Sequence, residues 1–173
     1  MLVGQMDYTP GAMKNATRDN YYPLNGCPMS QGTRVHQMAM YTVYDAPLQM
    51  LSDTPNNYRK EQECTDFISS VPTVFDETRV LDGQVGAYIV TARRLGSTWF
   101  VGAMNDWAPR KLTVDFSFLG KGSYTADIFA DGINSDKEPT DYKHTTLTVT
   151  ADSKVDAELF PAGGWTARIT PNK

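Results

Sequence analysis

Few side chains in this sequence are placed to do chemistry. Glu61, Glu63 and Asp66 form the densest acidic group, and paired carboxylates are the usual instruments of general acid–base catalysis. On a helix Glu63 and Asp66 would share a face, but carboxylates so close to bulk water ordinarily just solvate it. His36 and His144 are the only histidines, Cys27 and Cys64 the only cysteines, and together they follow no zinc spacing. The run Asp131-Gly132-Ile133-Asn134-Ser135-Asp136 carries oxygen donors at intervals that suit Ca2+. It lacks the sixth-position Gly and the distant Glu of an EF-hand loop, so a self-bonded turn is the expectation. Trp107, beside Asn105-Asp106 and ahead of Pro109, is the one tryptophan read as an exposed carbohydrate-stacking ring. Trp99 and Trp165 fall in phase with apolar strand neighbours and read as core. Asp7 opens the turn Asp7-Tyr8-Thr9-Pro10-Gly11, which its side chain can close as an Asx-type turn without any ligand.

The elements that must hold these residues divide near residue 70. Seven of eight methionines lie in the first fifty residues, whereas the chain beyond Thr73 turns to Thr, Val, Phe, Tyr and Trp in short runs. One helix is expected from about Ser30 to Leu51, with Ser30 or Thr33 as cap and Pro47 bending it. Asp53-Thr54-Pro55 closes that segment, and a shorter helix follows over about 60–69. Strands are expected over 87–93, 98–104, 112–118, 124–130, 145–150, 155–160 and 165–170, with a hairpin turn at Leu95-Gly96-Ser97. So many short strands need two apolar faces buried together, which means a sandwich.

Charge and hydropathy exclude other classes. The 173 residues hold 16 Lys and Arg against 20 Asp and Glu, a net charge of −4 without the basic stripe that nucleic acid demands. No apolar run is long enough to span a membrane. The opening Met1-Leu2-Val3-Gly4-Gln5-Met6-Asp7 has no basic segment or long apolar stretch, so it does not read as a signal peptide.

Several segments resemble one family. They are Met6-Asp7-Tyr8-Thr9-Pro10-Gly11-Ala12-Met13, Gly32-Thr33-Arg34 with Gln37-Met38-Ala39-Met40-Tyr41 and Ala46-Pro47-Leu48-Gln49-Met50, Val71 to Thr78, Val101 to Trp107, and Asp131 to Asp136. In this order they resemble the carboxy-terminal part of glycoside hydrolase family 97, whose members include α-glucosidases and α-galactosidases. The resemblance implies a mainly β fold: a C-terminal antiparallel β-sandwich over 73–173, preceded over 1–72 by the loop and helices that end a (β/α)8 barrel. It places Asp7 and Tyr8 at the substrate rim of that barrel.

The family's acid and base carboxylates, and those that hold calcium in its glucosidase branch, lie upstream of the Asp7-Tyr8 segment. None maps onto this chain. A glycosidase needs two carboxyls about 5–5.5 Å apart for retention or about 6.5–9.5 Å for inversion, framed by a barrel. The expectation is therefore a non-catalytic portion with no catalytic residue, metal site or cofactor of its own, not an enzyme by itself. Carbohydrate would meet it only through a complete barrel, and a parent enzyme would be periplasmic or secreted. The terminal sandwich of the family is associated with oligomerisation, so a homo-oligomer is expected. The apolar circumference of the long helix, with Met38, Tyr41, Val43, Tyr44, Leu48 and Leu51, adds to that expectation, and Arg34 is expected to pair with an acid of the barrel. The alternative is a carbohydrate-binding module that uses Trp107 and the 131–142 loop.

Overall fold

The computed structural model describes residue 5 and residues 7–172; the leader reading of Met1–Gly4 and Met6 lies outside the described residues. After the Asp7–Met13 loop, two short strands, β1 (Asn15–Ala16) and β2 (Ser30–Gln31), pair in parallel. The Thr33 side chain then caps helix α1 (Arg34–Val43) by accepting from His36 N–H. The helix expected over about 30–51 is thus shorter at both ends. Ser30 belongs to β2, and Tyr44 is already extended (φ −80°, ψ 135°), so the helix stops before Pro47 can bend it. Thr54 opens a helix rather than closing a segment: it caps α2 (Pro55–Lys60), with Pro55 in the first turn where a missing N–H costs nothing. α3 (Gln62–Ser70) follows directly.

Eight antiparallel strands complete the chain: β3 (Glu77–Gln84), β4 (Tyr88–Leu95), β5 (Thr98–Asn105), β6 (Arg110–Asp115), β7 (Tyr124–Asp131), β8 (Tyr142–Val149), β9 (Lys154–Leu159) and β10 (Gly164–Pro171). Six of them form one sheet in the order β3-β4-β5-β10-β7-β8, and β6 pairs only with β9. The expected sandwich is present, but one of its sheets is a two-stranded flap. β3 was not foreseen, because it is an edge strand that turns most of its side chains to solvent. The strand expected over 112–118 ends at Asp115, where Phe116, Phe118 and Leu119 leave the ladder and cap the core.

The central strands of the large sheet are buried on both faces. Between it and the flap lie Trp99, Val101, Val114, Phe116, Leu159, Trp165 and Ile169, each removed from water and contributing roughly 1.5–3 kcal/mol. The opposite face carries Phe100 and Phe129, which join Val35, Met38, Tyr41, Cys64, Phe67 and Ile68 in a second cluster. Met38 and Tyr41 are therefore buried within the chain, Tyr41 against the Asp7–Met13 loop, and not left open for a partner; of the helix-side residues named above, Leu48 and Leu51 remain exposed. Gly102 permits the close approach of α1: a Cβ there would stand 2.9 Å from Val43 Cγ2 and 3.0 Å from the Ala39 carbonyl oxygen. At the far end of α1, Arg93 reaches from β4 to the Tyr44 carbonyl (3.1 Å) and the Asp45 carboxylate (2.9 Å).

Candidate functional site

The Asp7–Met13 loop is held from beneath by polar side chains of the helical layer. Gly11 N–H donates to Gln37 Oε1 (3.1 Å), Tyr41 Oη donates to the Pro10 carbonyl (3.0 Å), and Tyr58 Oη donates to the Gly11 carbonyl (2.9 Å). Met13 N–H donates to Asp53 (2.9 Å). Gly11 sits at φ +85° with its Cα against Tyr41, a place only glycine fills without strain. Burial raises the phenols of Tyr41 and Tyr58, which keeps both neutral and able to donate. Tyr8 is half-buried: its hydroxyl donates to the Met40 carbonyl (3.2 Å), its ring meets Tyr44 edge-on at 5.1 Å, and desolvation pushes its phenol up to about 12. Asp7 is exposed at the mouth of this loop.

Arg34 finds its acid inside the chain rather than across a barrel. Its Nη1 meets Glu61 at 2.7 Å and its Nη2 donates to the Met13 carbonyl at 2.8 Å, with only 5% of the residue exposed. His36 is held by the backbone: its Nδ1 lies 2.9 Å from the Gly163 carbonyl, and burial lowers its pKa. Glu63 and Asp66 do not work together. Asp66 accepts from Gln62 (2.7 Å), while Glu63 turns to the sheet, accepting from Tyr142 Oη (2.6 Å) and meeting His144. His144 also meets Asp127, which binds Arg168 (3.2 Å). The result is a chain of four charged or chargeable side chains from α3 across β8 and β7 to β10. Sequence reasoning missed it because Glu63 and His144 are 81 residues apart and belong to no common pattern.

The polar groups of the 131–136 run bond to Asp141 and to the backbone of 160–164. Asp141 accepts from Asn134 N–H (3.0 Å), and Ser135 Oγ donates to the Asp141 carbonyl (2.8 Å). Asp131 points inward, accepting from the N–H groups of Phe160 and Gly164, each at 3.0 Å. Desolvation pushes its carboxyl up to about 7, although the Thr33 hydroxyl and these amides pull it down. Calcium therefore does not fit here. Among the described residues, no three His, Cys, Asp or Glu side chains converge as a metal site would require.

Trp107 is half-buried, and the Arg18 guanidinium lies over its ring at 4.9 Å. Both line a cavity of about 140 Å3 with Thr17, Asp19, Ser135 and Asp136. The tryptophan and the loop singled out with it thus do come together, with an arginine already on the ring.

Comparison with known proteins places this architecture. A retaining α-galactosidase from Bacteroides thetaiotaomicron is 51% identical over 168 residues, 97% of this chain and 25% of its own length. A probable retaining α-galactosidase from Streptomyces bingchenggensis is 30% identical over 131 residues, 76% of this chain and 19% of its own. The chain thus spans about a quarter or less of these relatives. Among solved structures, a family 97 enzyme from Pseudoalteromonas sp. strain K8 in complex with panose superposes over the whole chain and 27% of its own, at TM-score 0.90 and 32% identity. A β-arabinopyranosidase superposes over 96% of this chain and 25% of its own, at TM-score 0.75 and 35% identity. Residues 74–170 match the model described as glycosyl-hydrolase 97 C-terminal, oligomerisation, the part of the family named for assembly rather than for catalysis. With the sandwich, the helical layer and these matches in agreement, the chain belongs to glycoside hydrolase family 97, as a portion of its carboxy-terminal end.

Proposed function

We propose that this chain is the non-catalytic, subunit-joining end of an α-galactosidase-type family 97 hydrolase. The observation that carries this reading is the 51% identity to the Bacteroides enzyme along nearly the whole chain. The arabinopyranosidase relative fits the same chemistry, because a β-L-arabinopyranoside is an α-D-galactopyranoside without its hydroxymethyl group. In this reading residues 1–72 end the catalytic barrel and residues 73–173 form the terminal domain. In the same reading Asp7 and Tyr8 stand at the substrate rim, on a loop braced by Gln37, Tyr41 and Tyr58. Carbohydrate is met only by the complete barrel, whose catalytic carboxylates and any calcium lie upstream of Asp7. The parent enzyme works in the periplasm or outside the cell. Purified chain is expected to leave nitrophenyl α-galactoside intact while it self-associates. Turnover that co-purifies with the chain and disappears in Glu63→Gln would overturn the reading.

A second reading, a carbohydrate-binding module, is favoured by the cavity that joins Trp107 to the 131–142 loop. Galactose or melibiose would have to displace Arg18 from the indole. Quenching of tryptophan fluorescence by these sugars, stronger in Arg18→Ala and lost in Trp107→Ala, would support it.

A further inference from the structure

Among the described residues the large sheet has two free edges, β3 and β8, and the flap exposes β6 and β9. Three of these four strands carry the usual protection against pairing with another chain. β3 has Glu77, Arg79 and Asp82 and a register break between Val80 and Asp82. β6 and β9 are laced by Lys111 to Glu158 (3.1 Å) and Lys154 to Asp115 (3.2 Å). β8 differs. Lys143 guards only its start; from His144 to Val149 it contains no Lys, Arg, Asp, Glu, Pro or Gly, and three of those six residues are threonine. Its pairing with β7 runs without a break from Tyr142 opposite Asp131 to Val149 opposite Tyr124. His144 turns its ring toward α3 and does not guard the edge.

The pairing also shows which backbone groups are free. Gly132 N–H donates to the Asp141 carbonyl, so 132 and 141 form a hydrogen-bonded pair. With unbroken register, Lys143, Thr145, Leu147 and Val149 then aim their backbone groups at β7. His144, Thr146 and Thr148 aim theirs outward.

We infer that β8 is the assembly edge of this chain and that its partner is β8 of a second copy, paired antiparallel about a two-fold axis at Thr146. The inference rests on the oligomerising role proposed above and names the surface that performs it. An isologous contact must be self-complementary, and this strand meets that condition. With Thr146 opposite its own copy, each Thr148 pairs with His144 of the partner subunit, and no like charges meet. On the other face Leu147, 39% exposed, lies opposite Thr145 of the partner subunit. The twelve strands of two large sheets become continuous. A strand pair alone buries less than the roughly 1,000 Å2 a stable interface needs. A groove of about 570 Å3 beside Thr146, lined also by Leu95, Thr98, Phe100, Thr125 and Arg168, lets partner side chains extend the contact.

Sedimentation of the whole chain and two variants tests this. Thr146→Pro removes only an outward N–H and is expected to leave folded monomer, whereas Val80→Lys on β3 remains a dimer. Thr146→Cys in a Cys27→Ser background is expected to give a covalent dimer on mild oxidation, because hydrogen-bonded antiparallel pairs place Cα atoms about 5.5 Å apart. If Thr146→Pro unfolds, the cysteine variant decides. A wild type that dimerises regardless of Thr146→Pro and gives no cross-link overturns the β8 assignment but not the assembly role. A wild type that stays monomeric across the micromolar range overturns both.

Discussion

The imidazole of His144 lies face to face with Phe129, ring centroids 4.1 Å apart and planes 13° from parallel. Phe129 belongs to the cluster under the helices, so this stacking continues the buried helix–sheet contact out to a titrating group at the surface.

Burial disfavours a charged His144, but hydrogen bonds to Asp127 and Glu63 outweigh it and raise the pKa. Tyr142 and His144 hold the Glu63 carboxyl below its usual range. A raised histidine contributes stability that is complete below its unfolded pKa, near 6.5, and is lost as pH rises through the folded value. A lowered carboxylate loses its contribution as pH falls through its own folded value. The tie is therefore strongest in mild acid. His144→Gln is expected to cost about 1 kcal/mol at pH 5.5, after allowing for the exposure of Glu63, and less at pH 9. Denaturant melts of both proteins at the two pH values measure it; an equal cost at both would remove the charge from the account.

Asp131 shifts stability in the same sense as His144 and opposite to Glu63. Its folded carboxyl stands at about 7 against an unfolded value near 3.8, so the folded state holds the extra proton. Stability from this site falls as pH rises from about 4 to 7, by up to roughly 4 kcal/mol if burial is fully expressed. Asp131→Asn, which cannot ionise, is expected to gain on wild type between pH 4.5 and 8. Urea midpoints of the pair across that range report the gain, and a constant difference would contradict it.

Gly164 faces the first turn of α1, where a Cβ would collide with the backbone of Val35 and His36. Backbone cannot step aside as a side chain can. Gly164→Ala is expected to destabilise by about 3 kcal/mol, at the upper end for overpacking. Gly86→Ala, with open space around it but φ +78°, is expected to cost only about 1–2 kcal/mol of strain. Thermal melts rank the two.

Phe129→Ala is expected to cost about 3–5 kcal/mol, because it empties a site that is 1% exposed. Phe129 stands on the sheet but packs on Phe67 of α3, with ring centroids 5.2 Å apart. The loss should lower one cooperative transition of the whole chain. Calorimetry that shows a shifted helical transition beside an unmoved sandwich transition would speak for two independent units.

Strand positions were legible wherever β-branched and aromatic residues ran between Gly and Asp, as in β4, β5 and β10. The run Trp99-Phe100-Val101-Gly102-Ala103-Met104 held more than a strand, since a continuous apolar strand means cover on both faces. That cover is α1. β3 was illegible because an exposed edge keeps no apolar face. The cap at Thr33 was readable from its type and place, whereas the length of α1 was not, because the apolar residues 46–51 prolong its pattern past the true end. Asp131 gave the reverse lesson: its loop suggested a ligand set, but its carboxylate serves the amides of 160–164. Contacts such as Arg34 with Glu61 arise from tertiary folding alone.

The glycines under α1 set where this carboxy-terminal portion can be exchanged between relatives. A graft joined at residue 73 would carry Gly102 and Gly164 onto a sheet shaped for one helix and supply another. A graft joined ahead of Thr33 would move helix and sheet together, with the Arg93 contacts to Tyr44 and Asp45 intact. In recombination, the inheritable unit therefore begins with the helix, some forty residues before the first strand of the large sheet.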